Sequence, residues 1–193
     1  MTSLDKAELR RQALHRRAAL PESLRKRFSE LICRSVLSHP WVQAANTVHC
    51  YCSFGTEVET HRLCHQLLQQ GKRVAVPLVV EGEPELRHTW LRPALPFRLN
   101  RWGIPEPDVP PTEWLTAEEL GLQPTDAVIV PVVAYDRQLY RLGYGRGYYD
   151  RFLHRVPAHR IGLAFSVQEF EELPHEPHDI RLELIVTEKG FVP

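Results

Sequence analysis

The 193-residue chain lacks a surplus of charge of either sign, with 24 Lys and Arg against 24 Asp and Glu. A protein built mainly to hold nucleic acid carries a basic surplus, so this balance argues against that class. No apolar run approaches the length of a membrane span. The first twenty residues, MTSLDKAELRRQALHRRAAL, are charged throughout and contain no apolar core of signal-peptide length. There is no lipidation cysteine near the end. The four cysteines, Cys33, Cys50, Cys52 and Cys64, do not fall at the spacing of a paired CxxC zinc site. These absences predict a cytoplasmic protein with reduced thiols and no nucleic-acid or membrane partner. Internal repeats and low-complexity tracts are missing as well. So are both standard phosphate fingerprints: neither Gly-Lys-Ser/Thr of a Walker loop nor GxGxxG occurs.

What is present suits one globular domain over 1–193, with 43% hydrophobic residues and length enough for a substantial core. Leu4, Leu9, Ala13 and Leu20 recur at roughly helical spacing through the first twenty residues. Pro21 interrupts and then opens a second helix, which Pro40 ends. Thr47–Phe54 reads as a strand, 58–70 as a helix closed by Gly71, and Arg73–Val80 as the next strand. That order is the βαβ unit of a parallel sheet. Glu85–Leu91 extends it, and a proline-rich connection follows. Asp126–Asp136, the most apolar run, reads as one central buried strand. A short helix from Tyr148 and strands at Arg160–Phe165 and Leu182–Glu188 complete the pattern. Alternating strands and helices predict an α/β fold of three layers, with a mostly parallel, mixed sheet flanked by helices.

The most unusual stretch is RLGYGRGYYD, Arg141 to Asp150, with Gly143, Gly145 and Gly147 at every second position. It follows the best strand, and so falls at the edge where open α/β sheets bind ligands. Glycines let backbone N–H groups approach an anion, the helix from Tyr148 points its positive end the same way, and Arg141 and Arg146 add charge. A phosphate cradle fits this pattern; a tight loop with its tyrosines packed on the core fits it too. Asp150 beside such a cradle suits a Mg²⁺ ion, or else is a helix-start acid paired with Arg151 or Arg155.

RLGYGRGYYDRFL closely resembles the signature of the 5-formyltetrahydrofolate cyclo-ligase family. KAELRRQ, SFGTEVET, GIPEP, RIGLAFSVQ and LPHEPHDIRLELIVTE follow in that family's order, so the resemblance spans Lys6 to Glu188. It implies a single α/β domain. It also implies an ATP- and Mg²⁺-dependent enzyme, a cytoplasmic monomer, that converts 5-formyltetrahydrofolate to 5,10-methenyltetrahydrofolate with release of ADP and phosphate. Phosphoryl transfer needs positioning and charge neutralisation more than a covalent nucleophile, which suits a sequence without a persuasive Ser/His/Asp or Cys/His constellation.

Carried over by position, Lys6 and Arg10 match ATP contacts; four apart, they share a helix face, though a solvated basic face has the same spacing. Arg141, Leu142, Gly143, Tyr144, Gly145, Arg146, Gly147, Tyr148 and Tyr149 match the ATP-binding segment. Gly145 to Gly147 would approach the phosphates. Tyr144 to Tyr148 also match the folate side, with Arg146 and Tyr148 in catalytic roles. Asp150 and Asp179 match Mg²⁺ ligands, the alternative for Asp179 being a turn acid. Glu57 matches a carboxylate that accepts two pterin N–H groups, or is a helix-start acid. Cys52 stands where the family has an apolar substrate contact. Arg146 departs from bacterial relatives that have Gly there, while other members carry a basic residue.

Outside the resemblance, His61, Cys64 and His65 have metal-ligand spacing on a helix, which a helix flank with Cys64 packed inward also explains. Trp41, Trp90, Trp102 and Trp114 read as fillers of gaps and loops.

Overall fold

The computed structural model describes residues 5–192. Leu4, expected on the first helix, lies outside them. The chain runs α1 (Lys6–Ala19), α2 (Glu22–Ser38), α3 (Pro40–Ala44), β1 (Thr47–Cys50), α4 (His61–Gln69), β2 (Arg73–Leu78) and β3 (Arg87–Trp90). It continues through β4 (Phe97–Leu99), β5 (Pro105–Pro107), β6 (Ala127–Pro131), β7 (Ala134–Tyr135), β8 (Arg141–Leu142) and α5 (Tyr148–Arg155). The last elements are β9 (His159–Leu163), β10 (Leu184–Thr187) and β11 (Gly190–Val192).

Seven strands form the main sheet in the order β11-β10-β9-β6-β1-β2-β3. The five inner strands are parallel, and the two edges, β3 and β11, are antiparallel. The fold is therefore α/β with a mostly parallel, mixed sheet, as the alternation of elements implies. Both faces are covered, and β6 shows how. Ile129 packs with Ile32 and Val36 of α2 and with Leu63 and Leu67 of α4. Val128 and Val130, one residue out of phase, pack with Phe152 and Leu153 of α5 and with Leu120 and Leu122. Successive strand residues point to opposite faces, so a run of apolar residues is what two-sided burial requires. Leu9 and Ala13 fasten α1 to a third cluster with Val133, Leu142 and Leu173.

The apolar run 126–136 is not one strand. The sheet strand stops at Pro131, and Ala134–Tyr135 pair instead with Arg141–Leu142. The backbone groups that would extend the ladder are committed elsewhere: the Gln168 side-chain amide donates to the carbonyls of Val132 and Val133, both at 2.8 Å, and the Val133 N–H donates to Leu142 O at 2.8 Å. Hydrogen bonding, not hydrophobicity, ends the strand. The consequence is that β8 delivers the glycine segment to the end of β6.

Smaller differences have similar causes. β1 ends at Cys50 rather than Phe54 because the next residues bond among themselves: Thr60 Oγ1 donates to Tyr51 O at 2.7 Å, and Tyr51 Oη donates to Val58 O at 2.9 Å. The same loop holds α4 back to His61. Pro40 both ends α2 and starts α3, since a proline at the first helical position loses no bond the helix would make. The β4–β5 hairpin and the edge strand β11, each strand three residues long, are too short for alternation to reveal.

Candidate functional site

From β1 the strand order proceeds to β2 on one side, and from β6 to β9 on the other. The connections leaving β1 and β6 therefore diverge, and a crevice opens beyond their carboxyl ends. It is a cleft of about 650 Å³. Its walls include Tyr51 and Cys52 after β1, Pro77 and Val79 at the end of β2, and Pro131 of β6. Every residue assigned a site role from the sequence lines this one cleft: Lys6, Arg10, Cys52, Glu57, all ten residues from Arg141 to Asp150, and Asp179.

The glycine segment owes its shape to two left-handed residues. Gly145 has φ +91°, and Gly147, the residue preceding α5, has φ +68°. Conformations of this kind cost a residue with a Cβ about 1–2 kcal/mol. Arg151 curls back over the turn, donating from Nη2 to Arg146 O at 2.8 Å and from Nε to Pro84 O at 2.7 Å. The first N–H groups of a helix have no partner within it, and Tyr148, Tyr149 and Asp150 of the first turn of α5 line the cleft.

Lys6 and Arg10 do not form a solvated basic face. Lys6 Nζ lies 2.6 Å from Asp179 Oδ2, and Arg10 Nε donates to Gly143 O at 2.8 Å. Both basic groups thus reach residues far along the chain, 173 and 133 positions on. Arg141 is buried; Nη1 donates to Ile180 O at 2.6 Å and Nη2 to Asp150 Oδ1 at 2.9 Å. Asp150 Oδ1 also accepts the Ile180 N–H at 3.2 Å. Asp150 is therefore paired with Arg141, not with Arg151 or Arg155. Burial pushes the Asp179 carboxyl up, but the Lys6 ammonium and the Glu176 N–H outweigh it and hold it below the usual carboxylate range.

The residues fit a Mg²⁺ ion in one respect. Asp150 makes its hydrogen bonds through Oδ1 and Asp179 through Oδ2, so one oxygen of each carboxylate makes no hydrogen bond among the described residues, although His178 Nε2 stands 3.9 Å from Asp179 Oδ1. Mg²⁺ takes one or two carboxylates together with substrate phosphates and waters, and does not need an all-protein cage. Among the described residues no cluster of three or more His, Cys, Asp or Glu could hold a metal by itself. His61 and His65 are exposed while Cys64 is buried, so that helical trio does not converge.

At the other end of the cleft Glu57 is almost wholly buried. Oε1 accepts from Tyr144 Oη at 3.0 Å, and Oε2 accepts the Phe54 N–H at 3.0 Å. Burial pushes the carboxyl up to about 7, against the pull of the Phe54 N–H, Arg17 and Tyr144. Cys52 is half-buried, and burial pushes its thiol up, so it meets a ligand as an apolar surface. Tyr149 places a buried hydroxyl here without a protein partner.

Four contributors were not legible as such. Trp102 and Ile104, on the loop between β4 and β5, wall the cleft. Glu106 of β5 is buried beside them, accepting from Asn100 Nδ2 at 3.1 Å. Arg17 is buried behind Tyr144. A signal for it exists: Leu9, Ala13 and Arg17 fall four apart on one helical stripe, and an arginine continuing a core stripe asks for a partner.

A mostly parallel sheet with a glycine segment and two carboxylates lining one cleft at its order reversal defines an α/β protein with a ligand-sized crevice at the carboxyl ends of its strands. The particular family follows from comparison. Residues 2–188 match the model of the 5-formyltetrahydrofolate cyclo-ligase family, and the chain belongs to that family. It is 33% identical to the 5-formyltetrahydrofolate cyclo-ligase of Mycolicibacterium smegmatis over 98% of this chain and 96% of that one. It is 34% identical to the Escherichia coli K12 enzyme of the same name over 89% and 93%. The NMR structure of Aquifex aeolicus 5,10-methenyltetrahydrofolate synthetase superposes with a TM-score of 0.80 at 36% identity, covering 96% of this chain and 91% of that one. Among the described residues no helix is long and apolar enough to cross a membrane.

Proposed function

We propose that this protein converts 5-formyltetrahydrofolate to 5,10-methenyltetrahydrofolate at the expense of ATP, acting as a monomer in the cytoplasm with Mg²⁺ as cofactor. The observation that carries this reading is the meeting, in one cleft, of the glycine segment and α5 N-terminus with Asp150 and Asp179 at one end and Glu57 at the other.

The chemistry asks little covalent work of the protein. The formyl oxygen of the substrate attacks the γ-phosphorus of ATP and ADP leaves. N10 of the folate then attacks the formyl carbon, phosphate departs with the former formyl oxygen, and N10 loses its proton. Glycines 145 and 147 let backbone N–H groups approach the phosphates, and Arg146, Lys6 and Arg10 offset their charge. Asp150 and Asp179 would hold Mg²⁺, which neutralises phosphate charge when bound. Arg141 serves by fixing Asp150. Glu57 accepts paired N–H donors of the pterin, Cys52 gives it an apolar surface, and Tyr144 and Tyr148 line the formyl side.

Mixing the protein with Mg-ATP and 5-formyltetrahydrofolate should produce methenyl-folate absorbance together with ADP. No product at high enzyme concentration overturns the reading.

A further inference from the structure

Arg17 stands on the last turn of α1, outside the sequence stretches that carry the family resemblance. It is 4% exposed and does not itself line the cleft. Its Nε donates to Thr56 Oγ1 at 2.9 Å, and its Nη2 donates to Tyr144 Oη at 2.9 Å. Tyr144 Oη in turn donates to Glu57 Oε1 at 3.0 Å. The donor sense runs one way, from guanidinium through phenol to carboxylate. Three segments distant in sequence are joined by it: α1, the loop holding Thr56 and Glu57, and the glycine segment.

A buried guanidinium bound only to two neutral hydroxyls lacks charge compensation, and isolated buried charges are costly. Among the described residues Arg17 makes no direct ion pair; the carboxylate nearest in its network is Glu57, one hydroxyl away. Both groups are buried, so the two charges interact with little solvent screening.

Resting on the folate reading above, we propose that Arg17 is a positioning residue for the folate end of the site: it fixes Tyr144 and, through it, orients Glu57 and favours its conversion to the acceptor that a pterin requires. The groups facing Glu57 agree with this. Tyr51 and Cys52 approach it from the segment after β1, Tyr149 from α5 and Tyr144 from the glycine segment; Glu106 of β5 stands near Cys52. Arg17 is the cation among them, and it acts to lower the Glu57 carboxyl against burial. Thr56 keeps the guanidinium in the plane that reaches Tyr144, which a lysine, with a single point of charge, would not reproduce.

The test is Arg17→Met compared with Arg17→Lys, by steady-state kinetics and by carboxyl ¹³C NMR of Glu57 without substrate. In Arg17→Met the KM for 5-formyltetrahydrofolate should rise roughly tenfold while that for ATP stays within about twofold, the loss of one charge-assisted contact confined to one ligand. The midpoint of the Glu57 titration, and of the pH dependence of folate binding, should move up by about one pH unit. Arg17→Lys should restore the midpoint but not the full affinity. An equal rise in both KM values, or an unmoved Glu57 titration, overturns the proposal. If Arg17→Met does not fold, Tyr144→Phe cuts the same relay while keeping the Thr56 bond; an unmoved Glu57 titration there overturns it equally. The titration needs no substrate. A missing cyclo-ligase activity would therefore sink the reaction, while the titration still decides the link from Arg17 to Glu57.

Discussion

Replacing Glu57 with glutamine should flatten a pH dependence of stability that the wild-type protein shows. The buried carboxyl is raised from its ordinary value of 4.5 to about 7, with burial as the main cause. Between those two values the folded protein holds a proton that the unfolded chain has released. Stability therefore falls as pH rises through this window. The group's favourable contribution is complete below the unfolded value and gone above the folded one. The displacement corresponds to about 3 kcal/mol, at about 1.4 kcal/mol per pH unit. Glutamine keeps the size and the acceptor oxygen for the Phe54 N–H but does not titrate. Reversible urea unfolding, followed by circular dichroism from about pH 5 to about pH 8, gives the stability gap between wild type and variant. That gap should shift against the wild type by up to about 3 kcal/mol over the range. A gap that is constant with pH, or that moves in favour of the wild type, refutes the reasoning. A folate that donates paired N–H groups should reverse the effect, drawing the carboxyl down and releasing a proton on binding near neutral pH. Calorimetry in buffers of different ionisation enthalpy reads that proton directly.

Three further outcomes are expected. Gly147→Ala puts a Cβ at φ +68° and 2.7 Å from Arg151 Nη1; it should cost about 1–2 kcal/mol, or a few degrees in Tm, and raise the KM for ATP as Arg151 is displaced from the Arg146 carbonyl. An unchanged melting temperature would count against the strained turn. Asp150→Asn should abolish Mg²⁺-dependent turnover and keep an acceptor oxygen for Arg141, whereas Asp150→Ala should be less stable than Asn by about 1–3 kcal/mol because it leaves the buried Arg141 N–H without its acceptor; equal stability of the two variants, by urea titration, would refute the structural half of that statement. Lys6→Ala should raise the ATP requirement and leave the folate KM nearly unchanged, and an unaltered ATP dependence in initial rates would remove Lys6 from the nucleotide end.

The fold was legible wherever burial is two-sided, because a run such as Val128 to Val130 has few alternatives to an inner parallel strand. It was misread where polar groups overrule apolar ones. Nothing in VIVPVVAYD announces that Gln168, more than thirty residues on, takes the carbonyls of Val132 and Val133. The glycine spacing pointed to the cleft that the segment lines, and the family was legible only from resemblance. The partners of Asp150 illustrate the limit. Sequence proximity favours Arg151 and Arg155, one and five residues away, but the carboxylate bonds Arg141, which the β7–β8 turn swings back against α5. Arg17 was missed because the sequence does not show the tyrosine, 127 positions on, that receives its guanidinium.

Lys6 and Asp179 stand 173 positions apart and still share a hydrogen bond. The cleft is thus closed by a contact between the first helix and the segment that precedes β10. During synthesis β1, β2 and α4 can pair locally, while the Lys6 side of the cleft waits for the residues around 179 to leave the ribosome. Contacts of such long sequence separation are late and slow to form. A nascent chain stalled before that point would hold β1, β2 and α4 without the Lys6–Asp179 contact that closes the cleft.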